Sequence, residues 1–153
     1  MDGGGAGALT TVLYFAFASN MVTAQMAERC PGAESRGIGV LHDHRFIIGR
    51  RGYATVVGEP GATVHGILWG LRPEHEAALD VYEGVRHGLY RKVRLSVRSA
   101  DGTEQKAIVY VAGDPARGNA VAGYLEKVVA AAEAHGLPAA YIDELRSWLP
   151  NHE

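Results

Sequence analysis

Stretches rich in β-branched and aromatic residues precede most of the helical patterns along this chain. Residues 9–18 are apolar on both faces of an extended backbone, which predicts a short buried strand. Residues 36–71 mix Ile, Val, Phe and Thr with glycines, which predicts several short strands with bends in an antiparallel or barrel-like sheet. Residues 90–99 alternate apolar and polar side chains, and residues 107–112 return after a turn, so we expect a hairpin.

Helical patterns follow the first strand and the second group of strands. Ser19 and Asn20 are good N-caps and predict a short helix that ends before Pro31. Pro73 suits the first turn of a helix, and the apolar spacing after it predicts that this helix continues to Glu83. Each helix is therefore expected to begin directly after a strand.

Two further helices are predicted at the C-terminal end, over residues 121–136 and from residue 138 to residue 149. Strands mostly first and helices mostly last is the order of an α+β fold. A length of 153 residues suits one domain. We expect that domain to occupy residues 9–153, after a disordered glycine-rich tail at residues 1–8.

Charge and composition exclude several kinds of partner. Fifteen Lys and Arg against seventeen Asp and Glu give a net charge of −2, too near neutral to attract nucleic acid or an anionic membrane. No apolar run approaches the roughly 18 residues that span a bilayer, and no Lys or Arg precedes Arg29 to form the head of a secretory signal. Cys30 is the single cysteine, so no intrachain disulfide forms. We expect a cytoplasmic protein without nucleic-acid or membrane partners.

Most familiar catalytic motifs are missing. The sequence contains no nucleotide-binding loop, serine-hydrolase elbow or zinc-protease helix. His42 and His44 would share a strand face, as a metal pair requires, but without a third ligand a solvated strand edge fits better, so we expect no metal. The basic run at residues 91–98 has no interleaved aromatic platform and is expected to be the solvated face of the hairpin.

Glu83 is the carboxylate in the most unusual place. It ends a predicted helix and precedes Gly84, so the helix dipole and any burial would raise its pKa toward the range where one group accepts and returns a proton. Asp80, three residues earlier, could add like-charge repulsion. A solvated glutamate before a helix-ending glycine fits the same residues, and composition does not decide between the two.

Three short blocks resemble the γ-glutamylcyclotransferase family: YFAFASN at residues 14–20, LDVYEGV at residues 79–85 and GLY at residues 88–90. That family has a Y-G-S-N-like segment at the end of its first strand and a glutamate in L-D-x-x-E-G, with a tyrosine seven residues later, as Tyr90 follows Glu83. A second family tyrosine falls at Tyr110, and residues 64–69 are similar to a V-x-G-x-L-W segment. The resemblance covers residues 9–112.

The resemblance implies a small closed mixed β-barrel flanked by helices, with a pocket at its mouth and no cofactor. It implies cleavage of γ-glutamyl amides: the α-amine attacks its own γ-carbonyl and releases 5-oxoproline and a free amine, with Glu83 as general acid and base. It also implies a set of substrate-binding residues. These are a loop whose backbone N–H groups hold the glutamyl carboxylate and two tyrosines that could donate hydrogen bonds near the reacting centre, namely Phe17, Ala18, Ser19, Asn20, Tyr90 and Tyr110.

One departure from the family leaves a second function open. Phe17 and Ala18 stand where the family has Tyr-Gly, and alanine is strained there only if φ is positive, whereas we expect an ordinary extended residue. The alternative is a non-catalytic small-molecule-binding module on the same scaffold, and a different acid–base reaction on an amide or ester is a third hypothesis. The sequence sets neither the amine of the substrate nor the oligomeric state, although relatives of this family often pair, which allows a homodimer.

Overall fold

The structure, a computed structural model, describes residues 11–149. The glycine-rich tail expected at residues 1–8 lies outside the described residues. Five strands are present: β1 (Val12–Ala16), β2 (Glu34–Ile48), β3 (Ala54–Leu71), β4 (Tyr90–Ser99) and β5 (Glu104–Ala112). The α-helices are α1 (Thr23–Arg29), α2 (Pro73–Tyr82), α3 (Tyr124–Ala134) and α4 (Ala139–Arg146), with short 3-10 helices at Ser19–Met21 and Val85–His87.

The strands close into a mixed barrel in the order β1-β3-β2-β4-β5. Neighbouring strands are antiparallel except β1 and β5, which run parallel with Tyr14 opposite Ile108. The α+β fold and the closed barrel implied by the family resemblance are both confirmed. The parallel pairing places β1 beside β5 and brings Tyr14 of β1 into contact with Tyr110 of β5.

Residues 36–71 form two long strands, so the prediction of several short strands is wrong. β2 and β3 pair antiparallel along most of their lengths, with register shifts between Ser35 and Ile38 and between His42 and His44. Asp43, inside the second shift, has a φ of 61°. Glycines and bulges bend these strands without interrupting their pairing, which is how a small barrel turns its corners.

Close packing of β1 against β3 depends on a glycine. A Cβ added to Gly66 would lie 2.3 Å from the carbonyl oxygen of Ala16 and 3.0 Å from the ring of Phe15. Phe15 is fully buried and belongs to a continuous apolar core that includes Phe46, Met21 and side chains of α3 and α4. The missing side chain lets the two backbones approach while Phe15 fills the space beside them.

The helices follow the predicted positions with one exception. Ser19 and Asn20 do not cap a helix through their side chains but lie in a 3-10 turn, and the α-helix begins later, at Thr23. Pro73 begins α2 as predicted, and Glu83 is the C-cap of that helix. Within residues 11–149, none of the helices combines the length and apolarity that a membrane crossing requires.

The hairpin of β4 and β5 is confirmed, with a turn between Ser99 and Thr103. Arg94 and Arg98 lie on its exposed face as predicted, but Lys92, on the same face, is half-buried against α2. Among the described residues, no group of three or more His, Cys, Asp or Glu is placed to hold a metal ion.

Candidate active site

A cavity of about 530 Å³ opens where β1, β3, β4 and α2 meet. The end of β1, the starts of β3 and β4, and the end of α2 all contribute side chains to its wall. Every site residue named from the sequence lines this cavity: Phe17, Ala18, Ser19, Asn20, Glu83, Tyr90 and Tyr110. The fold therefore collects residues that lie up to 93 positions apart in the sequence.

The turn that ends α2 fixes the position of Glu83. The N–H of Glu83 donates to the carbonyl of Leu79 at 2.8 Å, and Gly84 follows in the left-handed conformation with a φ of 62°. A Cβ at Gly84 would lie 2.7 Å from the side chain of Leu89. A residue with a side chain is thus disfavoured both by backbone conformation and by space, and the sharp turn sets Glu83 at the cavity wall.

Burial raises the pKa of Glu83 from its ordinary value of 4.5 to about 7, while the positive charge of Arg29 opposes this shift. No hydrogen bond or ion pair joins the Glu83 carboxylate to any residue in the described range. The carboxylate is therefore free to exchange protons with a ligand near neutral pH. The Asp80 carboxylate, which could have added repulsion, instead binds Lys92 at 3.0 Å and Tyr110 at 2.7 Å.

The loop after β1 leads into the cavity with ordinary backbone geometry. Ala18 has a φ of −135°, which is accessible to alanine, so the replacement of the family glycine introduces no left-handed strain. The 3-10 helix Ser19–Met21 follows directly, and the first N–H groups of a helix have no acceptor within it. These N–H groups are the donors that the loop can offer to a ligand.

The register of the hairpin places Tyr110 under α2. Tyr110 lies directly opposite Lys92, so both side chains project from the same face of the hairpin. The Tyr110 hydroxyl donates to Asp80 Oδ1 at 2.7 Å, and Lys92 Nζ donates to Asp80 Oδ2 at 3.0 Å and to Glu76 at 2.5 Å. Glu76 and Asp80 are four residues apart on α2 and so share the helix face that meets this hairpin.

Tyr90 and Tyr110 act as acceptors toward the cavity. Tyr90 donates its hydroxyl hydrogen to the carbonyl of Ala54 at 2.8 Å, as Tyr110 does to Asp80. A phenol has one hydrogen, so both side chains present only oxygen lone pairs to a ligand, whereas the family resemblance suggested donors. Burial, with the negative charge of Glu83, raises the pKa of Tyr90 to about 12, so its hydroxyl stays protonated near neutral pH.

Sequence reasoning missed two further tyrosines. The hydroxyl of Tyr14, on β1, accepts a hydrogen bond from Asn20 Nδ2 at 2.9 Å, and that of Tyr124, at the start of α3, accepts from the N–H of Ala54 at 3.1 Å. Tyr14 stands in the first family-like block, but an aromatic residue in an apolar strand normally indicates packing alone. The hydroxyl of a tyrosine within an otherwise apolar strand is the one sequence signal that could have indicated Tyr14 as a site residue.

Cations outnumber carboxylates around the cavity. Arg29, Arg51 and Lys127 line it, and none of them is paired with a carboxylate of the described residues. Arg29 instead donates to Asn20 Oδ1 at 2.9 Å and lies over the ring of Tyr82, 4.4 Å from its centre. Glu83 is the one acidic residue in the described lining, so the cavity is suited to an anionic ligand.

A family model described as the AIG2-like family matches residues 63–145, more than half of the chain. The chain belongs to the AIG2-like family. The matched region of this AIG2-like protein contains α2, the Glu83 turn and the β4–β5 hairpin with Tyr90 and Tyr110. The family assignment therefore covers the part of the cavity that carries its acidic residue.

Several relatives of this AIG2-like protein are named gamma-glutamylcyclotransferase. It is 28% identical to the gamma-glutamylcyclotransferase of Mus musculus over 151 residues, which cover 92% of this chain and 80% of the mouse protein. It is 28% identical to the Homo sapiens gamma-glutamylcyclotransferase over 149 residues, covering 91% and 79%. A solved gamma-glutamyl cyclotransferase structure superposes with a TM-score of 0.85 at 26% identity, covering 94% of this chain and 90% of that one.

Proposed function

We propose that this protein is a γ-glutamylcyclotransferase that converts a γ-glutamyl amide into 5-oxoproline and a free amine. The observation that carries the proposal is Glu83, a half-buried glutamate with a pKa of about 7 that lines the cavity without a partner among the described residues. Relatives named gamma-glutamylcyclotransferase support it. The function needs a group that takes up one proton and delivers another, and Glu83 is suited to both steps.

The proposed reaction uses the substrate as its own nucleophile. Glu83 takes a proton from the α-ammonium, and the α-nitrogen then attacks the γ-carbonyl carbon to close a five-membered ring. The carbonyl electron pair moves to oxygen and returns as the bond to the departing nitrogen breaks, and Glu83 gives its proton to that nitrogen. The Glu83 carboxylate then takes the second proton that the ring nitrogen must lose and passes it to the released amine, which leaves as an ammonium. Intramolecular attack of good geometry reaches effective molarities of about 10⁵–10⁸ M, so the protein needs only to fold the substrate and move protons, and we propose no cofactor.

The residues around Glu83 supply both hydrogen-bond donors and hydrogen-bond acceptors to a substrate. We assign the glutamyl α-carboxylate to the backbone N–H groups of Ala18, Ser19 and Asn20 in the loop after Phe17, with the positive charge of Arg29 nearby. We assign the α-ammonium to the hydroxyl oxygens of Tyr90 and Tyr110, whose own hydrogens are already donated. Ammonium groups only donate, so acceptor tyrosines are the matching partners.

A substrate panel with a matched pair of variants tests this function. Purified protein should release 5-oxoproline from at least one γ-glutamyl amide, detected by mass spectrometry. Glu83→Gln keeps the side-chain shape and should lower kcat by about 10²–10⁴-fold. Glu74→Gln makes the same chemical change at an exposed site on the same helix, outside the cavity, and should leave kcat unchanged.

Three outcomes separate the hypotheses. Full activity in Glu83→Gln would refute the role of Glu83. Binding of 5-oxoproline without turnover of any amide would favour a non-catalytic binding module. Release of glutamate in place of 5-oxoproline would indicate hydrolysis by water on the same scaffold.

A further inference from the structure

The orientation of the Asn20 side chain is fixed by its neighbours. Asn20 Oδ1 accepts hydrogen bonds from Gln25 Nε2 and from Arg29 Nη1, each at 2.9 Å. A guanidinium group has donors and no acceptor, so the Asn20 atom that faces Arg29 must be the oxygen. The amide nitrogen is therefore the atom that faces Tyr14, at 2.9 Å from the hydroxyl oxygen.

This orientation determines the hydrogen of the Tyr14 hydroxyl. Because the Tyr14 oxygen accepts from Asn20, its own hydrogen points away from Asn20, and none of the described residues accepts it. Tyr14 is 4% exposed and lines the cavity, so bulk water reaches its hydroxyl only through that cavity. The hydrogen therefore points to whatever fills the cavity, water or a ligand, and a ligand oxygen there can accept it.

The cavity thus contains tyrosine hydroxyls with opposite hydrogen-bonding roles, some that only accept and one that can donate. Tyr90 and Tyr110 have donated their hydrogens to Ala54 and Asp80 and can only accept, whereas Tyr14 has a hydrogen to donate. The rings of Tyr14 and Tyr110 meet edge to face with their centres 5.7 Å apart, so the two kinds of hydroxyl are neighbours. Burial and the negative charge of Glu83 raise the pKa of Tyr14 well above its ordinary value, which keeps the phenol protonated, and both residues line the same cavity.

Given the proposed cyclisation, we propose that Tyr14 is a catalytic residue that donates a hydrogen bond to the γ-carbonyl oxygen as it becomes an oxyanion. In the tetrahedral intermediate, the attacking nitrogen and the oxyanion are bonded to the same carbon, so the groups that serve them must converge. Glu83 serves the nitrogen, and Tyr14 lines the same cavity with a hydroxyl hydrogen that no described residue accepts. The Tyr14 proton is not transferred: it stabilises the charge on oxygen until the carbonyl re-forms and the amine departs.

Tyr124 is the other cavity tyrosine whose hydroxyl accepts a hydrogen bond, but its surroundings fit the role less well. Its hydroxyl accepts from the N–H of Ala54, and its ring meets that of Tyr53 edge to face with the ring centres 5.0 Å apart. The Tyr14 ring instead meets Tyr110, which Asp80 holds against α2, the helix that ends at Glu83. Asn20, which directs the Tyr14 hydroxyl, is accordingly a positioning residue for this step.

Tyr14→Phe removes the donor and keeps the ring. The expected result is a fall in kcat of about 10²–10³-fold, the loss measured when one oxyanion donor is removed, with KM within about threefold of the wild type. Tyr141→Phe is the matched control, because Tyr141 is also 4% exposed but lies outside the cavity, and it should keep the wild-type kcat. Tyr124→Phe should lower kcat less than Tyr14→Phe.

Asn20→Asp supplies an independent test with the Tyr14 hydroxyl still present. An aspartate at this position offers an acceptor in place of the amide donor, so Tyr14 would donate to it and lose its hydrogen toward the cavity. We expect kcat to fall at least 10-fold, and the double variant Asn20→Asp/Tyr14→Phe to be no slower than Tyr14→Phe alone, because both changes remove one donor. Additive losses would contradict this coupling.

The failures of the two proposals can be told apart. If the wild type releases 5-oxoproline and Tyr14→Phe keeps its kcat within threefold while Glu83→Gln does not, the role of Tyr14 is overturned and the function stands. If the wild type releases no 5-oxoproline from any amide, the proposed function itself fails. Should Tyr14→Phe not fold, an unchanged kcat in folded Asn20→Asp overturns the role of Tyr14.

Discussion

At the scale of single residues, Glu83 combines a functional pKa with a penalty for stability. Its pKa is raised from 4.5 to about 7 in the folded state because burial disfavours the charged carboxylate. Between these two pH values the folded state holds a proton that the unfolded state has released, so stability falls as pH rises from about 4.5 to about 7. Below that range the carboxyl is neutral in both states and the penalty is absent.

Glu83→Gln should therefore be more stable than the wild type at pH 8. Removing a charge that burial disfavours is expected to raise the free energy of unfolding by about 1–3 kcal/mol at pH 8, and by little at pH 4.5. Urea unfolding at both pH values measures the difference. Glu74→Gln, which changes an exposed glutamate, should show no gain at pH 8. A Glu83→Gln gain equal at both pH values would show that the carboxyl is not buried.

The same pKa sets the pH dependence of activity. In the proposed reaction Glu83 begins each turnover deprotonated, so kcat/KM should rise with pH and reach half its maximum near pH 7. Arg29 lowers the pKa of Glu83, so Arg29→Met should shift this half-point to higher pH. Initial rates measured from pH 5 to pH 9 test both statements. A half-point near pH 4.5 in the wild type would contradict them.

At the scale of secondary-structure elements, Lys92 joins α2 to the β4–β5 hairpin. Its ammonium group binds Glu76 and Asp80, and the three side chains are 23%, 22% and 32% exposed, so the cluster is largely shielded from solvent. Asp80 in turn holds the Tyr110 hydroxyl. Breaking a shielded ion pair leaves its partner charges without compensation, and here two carboxylates would face each other.

Lys92→Met should lower the free energy of unfolding by about 1–3 kcal/mol, less than for a fully buried pair because solvent still screens the cluster. Arg94→Met is the matched control, since Arg94 is the next residue on the same face of β4 and is exposed. That control should stay within about 0.5 kcal/mol of the wild type. Equal urea midpoints for both variants would mean that the cluster contributes nothing.

Local patterns predicted some elements and failed for others. Pro73 and Gly84 bracket α2 through backbone preferences that act within a few residues, and the alternation in β4 needs only one buried face. The glycines in β2 and β3 predicted strand ends, but the strands only bend there. Whether a glycine ends a strand or bends it depends on the neighbouring strand that pairs with it, and the local sequence does not show that strand. Ser19 and Asn20 looked like caps, but their side-chain oxygens accept from Gln25, and Asn20 also from Arg29.

The residues of the candidate site also divide into those that the sequence predicted and those that it did not. Motif spacing predicted the loop at residues 17–20, Glu83, Tyr90 and Tyr110 as site residues, and all of them line the cavity. Tyr124 could not be found, because its hydroxyl meets the backbone of Ala54, 70 residues away in the sequence. The direction in which each tyrosine donates depends on such tertiary partners and has no local signature.

At the scale of the whole molecule, the charge of the cavity differs from that of the chain. The protein has a net charge of −2, yet its cavity has Arg29, Arg51 and Lys127 against Glu83. Arg51 and Lys127 are exposed, and the Arg51 guanidinium lies 6.0 Å from the ring centre of Tyr53. In the proposed reaction, these two cations are free to meet a negative charge on the departing amine of the substrate.

We expect substrates with a carboxylate on the leaving amine to react faster than uncharged ones. γ-Glutamyl-alanine should show a kcat/KM about 5- to 10-fold above γ-glutamyl-ethylamide at low salt, corresponding to roughly 1 kcal/mol for one exposed ion pair, and the ratio should shrink as salt rises. Arg51→Ala should reduce the ratio, whereas Arg91→Ala, an exposed arginine outside the cavity, should not. A ratio of one in the wild type would contradict this expectation.

Turnover in water enriched in oxygen-18 tests most directly whether the substrate attacks itself. Cyclisation uses the α-amine as nucleophile, so it predicts 5-oxoproline without the heavy isotope and no glutamate, formed in equal amount to the free amine. Attack by water would place oxygen-18 in the γ-carboxylate of released glutamate. Labelled glutamate as the main product would contradict the proposed cyclisation.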